Sequence, residues 1–167
     1  MIRKILNQDR LKYTGAMVLG MHDALVSQTG IVTGLAFALA DNHIIILTCI
    51  IAATAASLSM GASNYLASKT DGNPNAIAAG IYTGIAYLAT AALLIVPFAL
   101  FSNRLYALIC TFSISVLIIF LFNYCVSNAK RIPFLKRFLE MLAVCFIVSV
   151  VAFGIGQIAK HFLEIGI

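Results

Sequence analysis

Four side chains with metal-binding chemistry lie inside two apolar stretches of the sequence. Asp23 lies in the run MVLGMHDALVSQTGIVTG, residues 17–34, which carries no other formal charge. Ser57, Met60 and Asn64 follow at positions i, i+3 and i+7 of the next run, a spacing that places them on one face of a helix. A carboxylate, a thioether, a hydroxyl and an amide oxygen together could hold a dehydrated first-row metal ion. The thioether favours Fe²⁺ or Mn²⁺ over Mg²⁺ or Ca²⁺.

Each of these residues also has an interpretation that involves packing alone. A protonated Asp23 hydrogen-bonded to Ser27, one turn further on, would fix a contact between helices. Met60 could simply fill a core. His22 points about 100° away from Asp23 around a helix, so the two cannot both face one point. His22 therefore either relays protons or makes a packing contact.

The composition predicts a membrane protein. Of the 167 residues, 62% are hydrophobic and only 10% are charged, whereas soluble domains carry roughly 25% charged residues. A chain so poor in charge could not cover its own surface in water. The N-terminal apolar run is also too long, and too interrupted by Asp23, for a cleaved signal peptide. We therefore interpret it as a retained membrane helix.

Other functional classes are disfavoured by what the sequence lacks. The net charge of +5 comes from short basic clusters beside apolar runs, with no phosphate-binding loop and no basic stripe, so we expect no nucleic-acid partner. No paired carboxylates, His cluster or nucleophile–base spacing appear in the short loops, so we predict no enzyme and no bound cofactor. Four cysteines occur singly, without the spacing of metal ligands, and are interpreted as small hydrophobic residues.

Five apolar runs are each long enough to cross a bilayer, which needs about 20 residues. The predicted spans are 13–40, 43–68, 75–101, 104–127 and 137–160. The breaks between them are short, and short breaks force neighbouring helices to run antiparallel. The sequence therefore predicts an all-α integral membrane protein with a single transmembrane domain over residues 1–167.

The basic residues predict the orientation of these spans. Nine of them would lie on one side of the membrane: Arg3, Lys4, Arg10, Lys12, Lys69, Lys130, Arg131, Lys136 and Arg137. Arg104 and Lys160 would lie on the other side. Because the side richer in Lys and Arg faces the cytoplasm, the N-terminus is predicted inside and the C-terminus outside.

Small residues recur at four-residue spacing on three of the predicted helices. They are Gly30 and Gly34, Gly80 and Gly84, and Ala53, Ser57 and Gly61. In lipid this spacing lets helices approach closely. It predicts tight packing within one chain or along the seam of a dimer.

Two segments of the sequence resemble signature motifs of the vacuolar iron transporter family. AMVLGMHDALVSQTGIVTG, residues 16–34, resembles the family pattern G-x-x-DGLVS-x-x-x-x-x-G of the first helix. SMGASNYLASK, residues 59–69, resembles the pattern SM-x-x-GEYLS-x-x-S at the end of the second helix. FGIGQIAK near the C-terminus is similar to the last helix of the family. The resemblance implies a homodimer that exports Fe²⁺ or Mn²⁺ from the cytosol in exchange for protons.

The resemblance also assigns roles, and the sequence departs from it in two places. Asp23 matches the carboxylate of the family at mid-membrane, and Met60 matches its thioether ligand. Asn64 stands where the family has Glu, and the turn TDGNPN replaces a Glu-rich metal-binding domain between spans 2 and 3. Weaker or altered ion capture would follow from both departures. The short chain without that domain favours a bacterial inner membrane.

The expected mechanism is alternating access around Asp23 and Met60, with Ser57 and Asn64 lining the cytoplasmic entry. Two alternatives stay open at this stage. One is a transporter of the same fold that carries another solute or protons alone. The other is a structural or regulatory membrane protein that has kept the helices and lost the metal site.

Overall fold

The computed structural model describes residues 13–39, 41–130 and 133–162, and the regular structure in these ranges is entirely α-helical. The five helices are α1 (Thr14–Ala38), α2 (Asn42–Thr70), α3 (Ala76–Leu100), α4 (Arg104–Lys130) and α5 (Phe134–Phe162). The predicted all-α class is thereby confirmed, with each helix at the place of a predicted span.

Four of the five helices, α2 to α5, are long and apolar enough to cross a membrane. This confirms a multi-pass membrane protein. The first helix has 25 residues, but no long stretch of it is as apolar as those of the other four, and the polar residues His22, Asp23 and Gln28 lie near its middle. The fifth span and the orientation in the membrane stay predictions. Several of the residues they use, Arg3, Lys4, Arg10, Lys12, Ala40 and Arg131, lie outside the described residues.

Three helices, α2, α4 and α5, extend beyond the apolar runs that predicted them. Helix α4 continues to Lys130, three residues past the predicted end of its span, and α5 begins at Phe134, three residues before the predicted start. Lys136 therefore lies in the first turn of α5. Hydropathy marks only the part that crosses hydrocarbon, whereas lysine and arginine are good helix formers and let a helix continue into the interface.

Asparagine and aspartate side chains define the three described breaks between helices. The Oδ1 atom of Asp41 accepts a hydrogen bond from the backbone N–H of His43 at 2.7 Å and caps α2. The Oδ1 atom of Asn103 accepts from the N–H of Leu105 at 2.9 Å and caps α4 in the same way. Between α2 and α3, Gly72 adopts a positive φ of 71°, which glycine tolerates without strain.

The described residues divide into two units, and the first comprises residues 13–24 and 51–92. Within it, α1 runs parallel to α3. Ala16 contacts Thr83, and Gly20, one turn further along α1, approaches Tyr87, one turn further along α3. Helix α2 runs antiparallel to α3, as its contacts with α3 move in the opposite direction along the two helices. These directions are the ones that short connections predict.

Helices α2 and α3 approach most closely where glycines face each other. A Cβ atom added to Gly80 would lie 2.6 Å from the backbone oxygen of Gly61 and 2.9 Å from the Cβ of Tyr65. A Cβ atom on Gly84 would lie 3.2 Å from the backbone oxygen of Ser57. The predicted close packing of small residues is therefore confirmed here, and these residues pack within one chain.

The second unit comprises residues 25–39, 41–50, 93–130 and 133–162. Its part of α1 packs along α5, where a Cβ atom on Gly156 would lie 2.7 Å from the backbone oxygen of Gly34. The ring of Phe37 packs edge-on against Phe153, with centroids 4.7 Å apart. Helices α4 and α5 meet through further aromatic contacts, and the small residues of α1 again serve packing inside the chain.

Candidate functional site

Thr83 joins three helices of the first unit through one buried hydroxyl group. Its Oγ1 atom lies 3.0 Å from the backbone oxygen of Ala16 on α1 and 2.9 Å from that of Ala79 on α3, to which it can donate. The same atom accepts a hydrogen bond of 2.5 Å from the Nδ2 atom of Asn64 on α2. Thr83 has no exposed surface, so the hydroxyl is satisfied by protein groups on all three helices.

The contacts at Thr83 set the relative depth of the candidate metal ligands. Ala16 and Asn64 both lie at the level of Thr83. Because α1 and α2 are antiparallel, moving forward along α1 and backward along α2 leads in the same direction from that level. Asp23 is seven residues past Ala16, about 10 Å further along the axis, and Met60 is four residues before Asn64, about 6 Å further. The two residues therefore lie at depths that differ by less than one helical turn.

Ser57 and Asn64 both face α3. The hydroxyl of Ser57 donates a 2.8 Å hydrogen bond to the backbone oxygen of Gly84. The Nδ2 atom of Asn64 donates to Thr83 and lies 3.3 Å from the backbone oxygen of Ala79. The donors of both side chains thus hold α2 against α3. The side-chain carbonyl oxygen of Asn64 and the lone pairs of Ser57 are the atoms that could face a cation.

Asp23 lies on the exposed surface of the single chain, whereas Met60 is half-buried. His22 is also half-buried, with its Nε2 atom enclosed by protein. Among the residues that the structure describes, no group of three or more His, Cys, Asp or Glu side chains could hold a metal ion. The assignment of Asp23, Met60, Asn64 and Ser57 as metal ligands, and of His22 as a proton relay, stays a prediction.

Thr83 was not predicted from the sequence. A lone hydroxyl group in an apolar helix ordinarily donates to a backbone oxygen in the preceding turn of the same helix. Thr90 does this, and the residue type alone does not distinguish Thr83 from Thr90. The local signal is its position between Gly80 and Gly84, where the backbones of other helices come near. Thr90 donates to the backbone oxygen of Ala86 on its own helix at 2.8 Å.

The second unit also buries polar side chains, and several of them bond within one helix. Thr29 donates to the backbone oxygen of Leu25 at 2.6 Å, and Thr33 donates to that of Thr29 at 2.6 Å. The amide of Asn123 donates to the backbone oxygen of Ile119 at 2.8 Å. These bonds satisfy buried polar groups locally. The hydroxyl of Thr111 instead donates from α4 to the backbone oxygen of Leu94 on α3 at 3.0 Å.

Together, the apolar helices and the polar groups held between them define a multi-pass membrane protein. The model described as the VIT family matches residues 14–73, which comprise α1, α2 and part of the turn that follows. The match supports membership of the vacuolar iron transporter family, as the two sequence motifs predicted. The similarity of this part of the chain to the VIT family indicates a membrane transporter of metal ions. No curated protein matches the chain.

Proposed function

We propose that this chain carries Fe²⁺ or Mn²⁺ out of the cytosol in exchange for protons, with Asp23 and Met60 binding the ion. The observation that carries this proposal is the VIT family match over residues 14–73, which includes both residues. The depths of Asp23 and Met60 support it, because they differ by less than a turn of helix. A carboxylate oxygen and a thioether sulfur would then be available to one ion.

The exposure of Asp23 supports a homodimer as the working unit. An ionisable side chain inside a membrane costs a few kcal/mol and ordinarily faces a pathway or a partner rather than lipid. In the single chain Asp23 is exposed, while α1 carries no other formal charge between Thr14 and Ala38. A second copy packed on this surface would shield the carboxylate and would add a second Asp23 and Met60 to the ion path.

Protonation of Asp23 would couple the metal to the proton gradient. A carboxylate binds a divalent cation, whereas the neutral carboxyl group is a poor ligand, so metal and proton compete for the same oxygen atoms. On the acidic side of the membrane the proton would displace the ion. Alternating access to Asp23 from the two sides would then exchange metal for protons across a bacterial inner membrane.

Asn64 motivates a second candidate, a transporter of the same fold with a different or less tightly bound solute. Glu at this position would offer a carboxylate to an ion entering from the cytosol, and Asn offers only a neutral carbonyl oxygen. Its amide nitrogen is already used in the contact with Thr83. Fluxes of Zn²⁺, Co²⁺ and Ni²⁺, and of protons without metal, separate this candidate from the first.

The test is uptake of Fe²⁺ and Mn²⁺ into proteoliposomes with an acidic interior, comparing the wild-type protein with Asp23→Asn. The matched control is Asp71→Asn, which removes an exposed carboxylate in the turn between α2 and α3. Met60→Leu is compared with Met141→Leu, a half-buried methionine of α5. We expect flux to need the pH gradient, Asp23 and Met60, and to be unaffected in the two controls.

Two results would count against the proposal. Metal flux that is unchanged in Asp23→Asn would remove Asp23 from the transport path. No flux of either ion from a folded wild-type protein would instead favour another solute, or a structural or regulatory protein that has kept the fold without the transport. Crosslinking of the reconstituted protein measures the dimer separately from the flux.

A further inference from the structure

An apolar groove runs along the outer surface of α2 and α3 in the first unit. Its volume is about 610 Å³. The floor is formed by Gly61, Gly80 and Gly84, the small residues at which the two helices meet, and Leu58 and Leu88 contribute to the walls. Because α2 and α3 are both candidate membrane spans, the groove opens toward the hydrocarbon of the bilayer.

The length of the groove matches one leaflet of a bilayer. On α3 the lining extends from Ile77 to Leu88, which is eleven steps of about 1.5 Å, or roughly 16 Å. Half of the hydrocarbon core is about 15 Å thick. The groove therefore spans the depth that an acyl chain of one leaflet occupies. It begins one residue after the start of α3, at the same end as the turn between α2 and α3.

A lysine marks the end of the groove at the membrane surface. Tyr65 lines the groove, and Lys69 follows it on the same face of α2 at i+4. The Nζ atom of Lys69 lies 5.6 Å from the centroid of the Tyr65 ring, within the range of a cation–π contact. This contact places the ammonium group beside Tyr65, which lines the end of the groove. Lys69 is itself exposed and can bind an anion.

We propose that the groove binds one acyl chain of an anionic phospholipid whose phosphate group pairs with Lys69. The surrounding bilayer supplies the chain, the apolar walls match it, and the positive charge at the mouth matches an anionic headgroup. A helix about 10 Å in diameter is a poorer fit than a single chain, because the glycines on the floor are already in contact across the α2–α3 crossing. The proposal does not depend on the transported ion.

The chain contains no tryptophan, so a single tryptophan introduced by substitution gives a fluorescence signal from this site alone. We use the Tyr65→Trp variant, in which an aromatic ring stays beside Lys69, in vesicles that contain phosphatidylglycerol or phosphatidylcholine with brominated acyl chains. The reference is the Phe146→Trp variant, since Phe146 is 68% exposed on α5. We expect brominated phosphatidylglycerol to be preferred about fivefold at the Tyr65→Trp reporter, as one basic residue provides, and not preferred at the Phe146→Trp reporter.

Two pairs of variants identify the groups responsible for the preference. Lys69→Gln in the Tyr65→Trp background should abolish the preference for phosphatidylglycerol, while Lys136→Gln, an exposed lysine of α5, should leave it unchanged. Ala62→Leu narrows the groove and should lower quenching by both lipids. Ala55→Leu, on the exposed surface of α2 outside the groove lining, should not.

Two outcomes would overturn the proposal. Equal quenching by the two lipids at both reporters would mean that only bulk lipid covers the groove. Weaker quenching at the Tyr65→Trp reporter than at the Phe146→Trp reporter, with either lipid, would mean that protein, such as a second copy, covers it.

Thermal unfolding of the protein without a reporter gives an independent measurement. Phosphatidylglycerol should raise the melting temperature more than phosphatidylcholine, and Lys69→Gln should remove the difference.

Discussion

Replacing Thr83 by valine removes the hydroxyl group that joins α1, α2 and α3 and changes the volume of the side chain little. The 2.5 Å hydrogen bond from Asn64 is lost, and so is the 3.0 Å contact with the backbone oxygen of Ala16, which shares the single hydroxyl proton with the backbone oxygen of Ala79 at 2.9 Å. Interhelical hydrogen bonds in membranes contribute about 0.6 kcal/mol on average and about 1.7 kcal/mol at most. We therefore expect Thr83→Val to lower the free energy of unfolding by about 1 to 3 kcal/mol.

The assay is reversible unfolding in mixed micelles with an increasing fraction of denaturing detergent. Thr83→Ser is the matched control, since it keeps the hydroxyl and loses one methyl group, and it should cost less than Thr83→Val. A double-mutant cycle with Asn64→Leu isolates the contact between the two side chains and should give a coupling energy of about 0.6 to 1.7 kcal/mol. A Thr83→Val protein as stable as wild type, or a coupling energy of zero, would refute the role of Thr83.

Two further changes test the packing and the ion entry of the first unit. Gly80→Ala should lower the free energy of unfolding by about 1 to 3 kcal/mol, because the added Cβ would lie 2.6 Å from the backbone oxygen of Gly61. Gly154→Ala, with no atom within 4 Å of the added Cβ, should be neutral or stabilising by up to about 1 kcal/mol in the same assay. Asn64→Glu should lose the hydrogen bond to Thr83 and lower the free energy of unfolding by about 1 kcal/mol. The same variant should lower the metal concentration that gives half-maximal uptake. An unchanged or higher concentration would contradict a role of residue 64 in ion entry.

Much of the fold could be predicted from the sequence because membrane helices are specified by simple patterns. The predicted spans lie where the helices are, and the breaks coincide with residues such as Asp41 and Asn103, which cap the helices that follow. The sequence could not give the full helix lengths. The predicted last span began at residue 137, whereas the helix begins at Phe134, because charge ends the apolar run and does not end the helix.

The candidate site could be predicted only in part from the sequence. The spacing of residues along one helix shows which of them share a face, but it does not show which other helix that face contacts. The spacing of Ser57 and Asn64 placed them on one face, and the structure agrees, since both contact α3. Which helix that face meets depends on the rotation of α2, which is set by the contact of Gly61 with Gly80. For the same reason Thr83 could not be distinguished from other threonines that satisfy their hydroxyl groups locally.

The contacts of Asn64 explain how a neutral residue can occupy the position at which the family pattern that this chain resembles has Glu. An ionised Glu cannot donate a hydrogen bond, so it could not reproduce the bond from the Nδ2 atom of Asn64 to Thr83. Asn64 thus gives up a negative charge near the proposed ion entry and gains a bond that holds α2 to α3. If Asp23 and Met60 bind the ion, this exchange would weaken ion capture and leave the ion-binding residues in place. Capture and stability should therefore change in opposite directions when residue 64 is varied.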